Sequence, residues 1–413
     1  MSTWRGLTSV AQKPRDLTPE RSPQHQLGAE LRRWRELRGL SQASLAKMLH
    51  VSSALIAKIE VADRRMPRGM SAELDRHLAT GGGIHRLEQT FAGVIPTRDD
   101  ALDALRQRVE EGLNGAGITQ FSLDDWEQVI LAHGRATRHR VPSLLVEDIS
   151  ADVDDLVRLL TASNHSASNQ LRLTSIIGKA AGLVSLSLLK VNNRRGSVRW
   201  VRTAWSAARE AGDNGLAAWV RAQEAHNAFY SGDLPDAVEK ARHAQELAGG
   251  TMCVGFVLAA ALEGRALASQ GRHDETHIAL ATAENGFAEL STSDLTRSAL
   301  GYDEAQLRFH QGNAYTHLGL TDLAWQAQKR ALDLYPENDY LDRALVHLDR
   351  AQCLVHQREP DAAMAVAEAG ITGLRHDQRQ GLVTVRALEV LSTMPTEWRT
   401  RPAARSVQDL LSE

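Results

Sequence analysis

The chemistry this sequence offers is concentrated between Gln42 and Glu60, QASLAKMLHVSSALIAKIE. Leu45, Ala46 and Leu49 put an apolar stripe on one short helical pattern, and Ile56 and Ile59 do the same on a second. Val51 plugs the corner between them, Ala46 is small enough for the two helices to cross closely, and His50 falls at a turn that usually needs φ > 0. Together these make a helix-turn-helix unit, whose chemistry is recognition of DNA rather than the making of bonds.

Other constellations are weaker. His273 and His277 in HDETH share a helix face, but a zinc site of that kind needs HExxH, so a solvated turn is expected. The glycine run at 112–117 lacks a preceding strand and the Lys-Ser/Thr ending of a phosphate loop, which leaves a flexible joint. No GxSxG elbow or dinucleotide fingerprint occurs. Trp200, Trp205, Trp219, Tyr230 and Trp325 have the spacing of packing residues between helices more than of a ligand groove. No catalytic residue, metal or cofactor is expected.

Composition agrees with a helical protein. The chain is 43% hydrophobic but only 5% aromatic, and strand-favouring runs are scarce. Two cysteines, Cys253 and Cys353, are too few for a disulfide framework, which predicts a cytoplasmic, nucleoid-associated protein. No membrane span is expected; the best apolar run, CVGFVLAAAL, meets Glu263 and Arg265. The net charge of −3 hides an asymmetry: residues 1–80 hold 14 Lys/Arg against 8 Asp/Glu, so the remainder is acidic. A basic head on an acidic body is the footprint of a small DNA-reading domain joined to something else.

The elements that must position the motif follow in order. Residues 1–26, with Pro14, Pro19 and Pro23, read as a disordered arm in which Arg15 and Arg21 are solvated. Residues 27–83 form the DNA-binding domain. Its first helix, LGAELRRWRELRG, turns Leu31, Trp34 and Leu37 inward and ends at Gly39, and Ser41 caps the next helix. The second helix covers residues 42–49 and the third about 52–60. A further helix, SAELDRHLAT, buries Leu74 and Leu78 and stops at Gly81–Gly83. Residues 84–169 are a helical connector: DALDALRQRVEEGL presents Leu102, Leu105 and Val109, and SLDDWEQVILAHG begins again with Ser122 as its cap.

From residue 170 to 372 the chain repeats itself. In 312–336, Gly312, Tyr315, Leu318, Gly319, Ala324, Ala331 and Pro336 fall at the positions where paired helices need small residues, large residues and a turn. Weaker copies are marked by Gly232, Ala237, Ala241 and Ala244, by Gly264, Gly271, Thr276, Leu280 and Ala283, and by Gln357, Ala362, Val366 and Ala369. A degenerate copy precedes them in GLVSLSLLKVNNRRGSVRWVRTAWSAAREAGD. About five repeats result, with 373–413 as capping helices. The fold class is all-α: a helix-turn-helix head followed by an α-solenoid.

GLSQASLAKMLHVSSALIAKIEVADRRMP resembles the Xre/lambda-repressor-like regulators, and residues 312–336 resemble the tetratricopeptide repeat. The combination, with its WVRTA…AREAGD…WVRA stretch, is similar to regulators of Streptomyces-type actinobacteria and, more distantly, to peptide-sensing regulators of Gram-positive bacteria. The first resemblance implies that Gln42 anchors a backbone phosphate, that Ser52, Ser53, Ala54 and Lys58 point to bases, and that Arg64 and Arg65 meet flanking phosphates. Serine hydroxyls suit several base edges, alanine a thymine methyl, and lysine guanine O6/N7. With so little bidentate capacity, Lys58 and DNA shape must supply more of the specificity.

The resemblance also implies a structural ion pair between Arg35 and Glu60. His50 and Ala62 depart from the family's usual glycines. The expectation is a DNA-binding transcription regulator that acts on double-stranded operator DNA as a homodimer. Its repeats sense a peptide, small molecule or protein partner. A repeat scaffold with weak or sequence-blind DNA binding, or an antitoxin or phage-type repressor controlled by a partner protein, uses the same residues.

Overall fold

The computed structural model describes residues 23–64, 66–67, 70–80, 82–92, 120–161 and 165–412. Residues 1–22 of the arm, the stretch holding Leu102, Leu105 and Val109, the 112–117 glycine run and Arg65 lie outside the described residues, whereas residues 23–26, expected to be disordered, are the first turn of a helix. Every regular element among the described residues is an α-helix. The chain divides into two compact units, 1–115 and 116–413.

The head consists of α1 (Pro23–Leu37), α2 (Gln42–Met48), α3 (Ser53–Glu60), α4 (Met70–Leu78) and α5 (Gly83–Ala92). Leu27, Leu31, Leu45, Ile56, Ile59, Leu74 and Leu78 form its core, with Trp34 and Val51 packed at the edge. Leu37 is 63% exposed, contrary to expectation. At 100° per residue it stands well off the Leu27–Leu31–Trp34 stripe, which alternates four- and three-residue steps, because a second three-residue step in succession rotates it further round the helix. Ile84 is fully buried in the same core and Leu87 packs against it. The head's core therefore runs past residue 83. Asp75 bridges the glycines by accepting the Ile84 and His85 N–H groups, each at 2.9 Å.

In the second unit α6 (Gln120–Ala136) and α7 (Pro142–Thr161) lead into five helix pairs. These are α8 (Ala167–Lys190) with α9 (Arg194–Ala211), α10 (Asn214–Ser231) with α11 (Leu234–Leu247), α12 (Val254–Ser269) with α13 (His273–Ala288), α14 (Glu304–His317) with α15 (Thr321–Leu334), and α16 (Tyr340–His356) with α17 (Pro360–Thr372). Ser122 lies within α6 and does not precede it. Helices α6 and α7 contribute Leu123, Ile130, Leu145 and Ile149 to the same core as α8 and α10, so from residue 120 the connector is part of the body. Residues 273–277 open α13 and are helix, not turn; His273 and His277 are exposed as expected, and the His277 ring lies against Tyr315.

Each pair turns through one left-handed residue: Asn192, Gly232, Gly271, Gly319 and Arg358. The last pair corrects the sequence register. Gln357 has an ordinary negative φ, the turn residue is Arg358, and the buried alanines are Ala363 and Ala367 while Ala362 and Ala369 are exposed. An arginine in the glycine position hides the repeat boundary from a reading based on glycines.

The turns recur 39 or 40 residues apart, except that Gly271 and Gly319 are separated by 48. The extra length is the segment 289–303, which folds back into the core. Tyr302 is fully buried, the Ala299 N–H donates to the Gly134 carbonyl at 3.0 Å, and the Trp219 indole donates to the Ala299 carbonyl at 2.8 Å.

Four helices follow the last pair: α18 (His376–Arg379), α19 (Leu382–Thr393), α20 (Thr396–Arg399) and α21 (Pro402–Ser412). Val383, Ala387, Val390, Ala404 and Val407 close its core. At their start the backbone of Gly381 (φ 71°) packs directly on the Lys190 carbonyl, with no room for a Cβ. The tail thus meets the first pair, and the row of helices closes on itself. Among the described residues one helix, Ala167–Lys190, is long and apolar enough to cross a membrane; 78% of its most apolar window is buried inside the body, as befits a core helix.

Candidate nucleic-acid interface

The head's outward face is built around Glu60, whose side chain is fully buried at the end of α3. Arg35 on α1 donates to both of its oxygens, Nε to Oε1 at 2.5 Å and Nη2 to Oε2 at 3.0 Å, and its Nη1 donates to the Leu40 carbonyl at 2.9 Å. The Glu60 hydrogen bond raises the Arg35 pKa against the opposing effect of burial, so the guanidinium is firmly charged. Arg32 Nε adds a bond at 3.3 Å, and Gln42 Nε2 another at 2.8 Å. Helices α1 and α3 can approach closely because Gly28 faces the Ile59 and Glu60 carbonyls, where a Cβ would stand 2.6 Å from either oxygen.

The turns read in the sequence take the strained geometry expected of them. His50 has φ 53° and Ala62 φ 61°. After Ala62 the Asp63 and Arg64 N–H groups return to the Lys58 carbonyl at 2.8 and 3.2 Å, which folds the exposed Arg64 back beside the end of α3. Gln24 Nε2 supports this turn by donating to the Ala62 carbonyl at 3.0 Å.

Ser52, Ser53, Ala54 and Lys58 are all exposed, while Ile56, Ile59 and Glu60 on the other side of α3 are buried. Ser52 is the N-cap: its hydroxyl oxygen accepts the Leu55 N–H at 3.2 Å. Ser41 caps α2 in the same way through the Ser44 N–H at 3.0 Å. Gln42 is half-buried with its amide turned towards Glu60, so the group it offers outward is its backbone N–H at the first position of α2.

The body has a second recessed feature. A cavity of about 420 Å³ lies where α10, α12, α14, α16 and α19 face one another. Asp349, 1% exposed, accepts from Arg386 Nε at 2.8 Å and from Asn313 Nδ2 at 3.0 Å. Burial opposes the Arg386 charge, but Asp349 and Glu389 hold it. Burial and nearby arginines lower His226 to about 3 and push His310 and His317 well below the usual histidine range, so all three imidazoles are neutral. Of the five aromatics singled out in the sequence only Tyr230 lines this cavity. Trp219 is core, and Trp205 and Trp325 lie under Arg221 and Arg350. Apart from Tyr230 and Gly232 the lining carries no motif, and Arg265, at the end of the apolar run of α12, is the signal in the sequence that points to it.

Residues 26–88 match the model of a helix-turn-helix domain family. Among solved structures the chain is similar to the crystal structure of Bacillus thuringiensis PlcR in complex with the peptide PapR7 and DNA. That likeness has 14% identity and a TM-score of 0.31, and it covers 63% of this chain and 94% of that one. The superposition is too loose to relate positions in the two chains. No curated protein matches the sequence. The chain is an all-α protein with an N-terminal helix-turn-helix domain and a helical-repeat body.

Proposed function

We propose that this chain is a sequence-specific, DNA-binding transcription regulator. The observation that carries the reading is the two-sidedness of α3. One side is locked to α1 through Glu60 and Arg35, and the other presents Ser52, Ser53, Ala54 and Lys58 to solvent on a helix-turn-helix domain. A helix so held enters a major groove without rearrangement of its own fold. Ser52 keeps a hydroxyl hydrogen to donate while its oxygen caps the helix, Ala54 suits a thymine methyl, and Lys58 reaches guanine O6/N7. The free N–H at Gln42 takes a phosphate, and Arg64 and Arg65 hold the flanking backbone.

The regulator acts as a homodimer on two half-sites roughly 10 bp, or a multiple of it, apart. Its repeat body contributes dimerisation and senses a peptide, a small molecule or a protein partner. The protein works in the cytoplasm at the nucleoid and performs no catalysis. Affinity selection of fragmented genomic DNA on the full chain tests this reading. A shared sequence motif, bound with a steep salt dependence, is expected. Retention of all fragments alike, or of none, would overturn it and favour a scaffold that uses its repeats alone.

A further inference from the structure

We propose that the inner cavity of the repeat body binds a small organic anion, a carboxylate or sulfonate on a largely apolar frame, with its negative group at Arg265. Arg265 lines the cavity from α12 and is only 1% exposed. A guanidinium buried this deeply normally has a carboxylate partner, because an uncompensated charge is costly to desolvate. Arg265 has none. Its Nε donates to Asn313 Oδ1 at 2.8 Å, its Nη2 to the Tyr230 hydroxyl at 3.3 Å, and its Nη1 lies 3.5 Å from His310 Nδ1. None of the three is a carboxylate.

The surroundings point the same way. Phe229, Tyr230 and Phe309 stand around the guanidinium at 4.4, 5.5 and 5.3 Å from its centre, an apolar frame that strengthens any ion pair formed inside it. The acids on the cavity wall, Asp349 and Glu389, are already held by Arg386. Arg194, half-buried on the cavity wall, donates to the neutral Asn192 amide and, among the described residues, adds a second cation without a carboxylate. The cavity is thus positive inside a chain whose net charge is −3.

The volume of the pocket, about 420 Å³ and half open to solvent, limits the size of the ligand it can surround. Small-molecule sites occupy roughly 300–1,000 Å³, so this space suits a metabolite-sized anion or the carboxylate end of a very short peptide. The proposal deepens the sensing role above and rests on it only for the consequence at DNA.

Binding is measured on the full chain without DNA, using the anionic probe 8-anilinonaphthalene-1-sulfonate beside its neutral counterpart N-phenyl-1-naphthylamine. One site that prefers the sulfonate is expected. Arg265→Met should weaken the anionic probe about tenfold or more and leave the neutral one unchanged. Arg194→Gln, at a half-buried position whose one bond is to the exposed Asn192 amide, should weaken it several-fold; this variant keeps the test valid if Arg265→Met unfolds. Displacement by benzoate identifies a free organic acid as the source, and displacement by Ala-Ala-Phe but not its C-terminal amide identifies a peptide end. Equal affinity for both probes, an unchanged anion affinity in both variants, or displacement by the amide as readily as by the acid would overturn the anion site. Genomic DNA selection by the same wild-type chain reports separately on the regulator reading.

Discussion

Arg35 and Glu60, 25 residues apart in the chain, close a two-pronged ion pair between α1 and α3 inside the head. Glu60 is fully buried, so removal of Arg35 leaves a carboxylate with only Arg32 and Gln42 for company. Arg35→Met should destabilise the head by about 3 kcal/mol, and Arg35→Met with Glu60→Leu should recover most of the loss. Amide hydrogen exchange across residues 31–59 reads both. A single substitution costing under about 1 kcal/mol would contradict the role given to the pair.

Asp339 gives the body a pH dependence of definite sign. It is 1% exposed and neither carboxylate oxygen has a hydrogen-bond partner. Burial, reinforced by Asp342, lifts its carboxyl to about 7 against the pull of Arg138 and Lys190. The folded state therefore retains a proton that the unfolded chain gives up near pH ~4. The stability from this group is full below that pH and drains away as pH rises to about 7. Asp339→Asn should match the wild type in urea at pH 4 and exceed it at pH 8, by no more than about 4 kcal/mol. A stability difference that does not change between the two pH values would contradict this account.

Gly381 tests the closure of the helix row. Its φ of 71° and its contact with the Lys190 carbonyl both exclude a side chain. Gly381→Ala should cost about 2 kcal/mol and loosen residues 373–412 from the first helix pair. Limited proteolysis should then cut the tail faster than in the wild type. An unchanged cutting rate would mean that the contact does not hold the row closed.

The DNA-facing groups separate by their salt response. Arg64→Ala and Arg65→Ala should each weaken binding to all sequences and reduce the slope of log affinity against log salt by about one. Filter binding at several salt concentrations measures it. A loss confined to one sequence would move these arginines from phosphate to base.

What the sequence revealed depended on how local the signal was. The helix-turn-helix was legible because its stripes, caps and turns lie within a few residues of one another, and the left-handed His50 and Ala62 follow from position alone. Leu37 misled because its three-residue step drifts away from the core stripe. The final repeat was misplaced by one residue because Arg358 stands where a glycine marks the other turns except the first. The inner cavity was out of reach for a different reason. Its walls come from helices about 40 residues apart, brought together by the stacking of successive pairs, and no periodicity within any one of them records that meeting.

The central claim, that α3 reads bases, is tested most directly at Lys58. Operator fragments recovered by genomic selection are to be altered one base pair at a time and titrated with wild-type and Lys58→Ala protein. Lys58 is exposed on the outer side of α3, away from the Glu60 hub, so the substitution leaves the fold intact. The predicted result is loss of discrimination at one position per half-site, worth about 1–3 kcal/mol, with preference kept elsewhere. Uniform weakening at every position, or an unchanged profile, would contradict it.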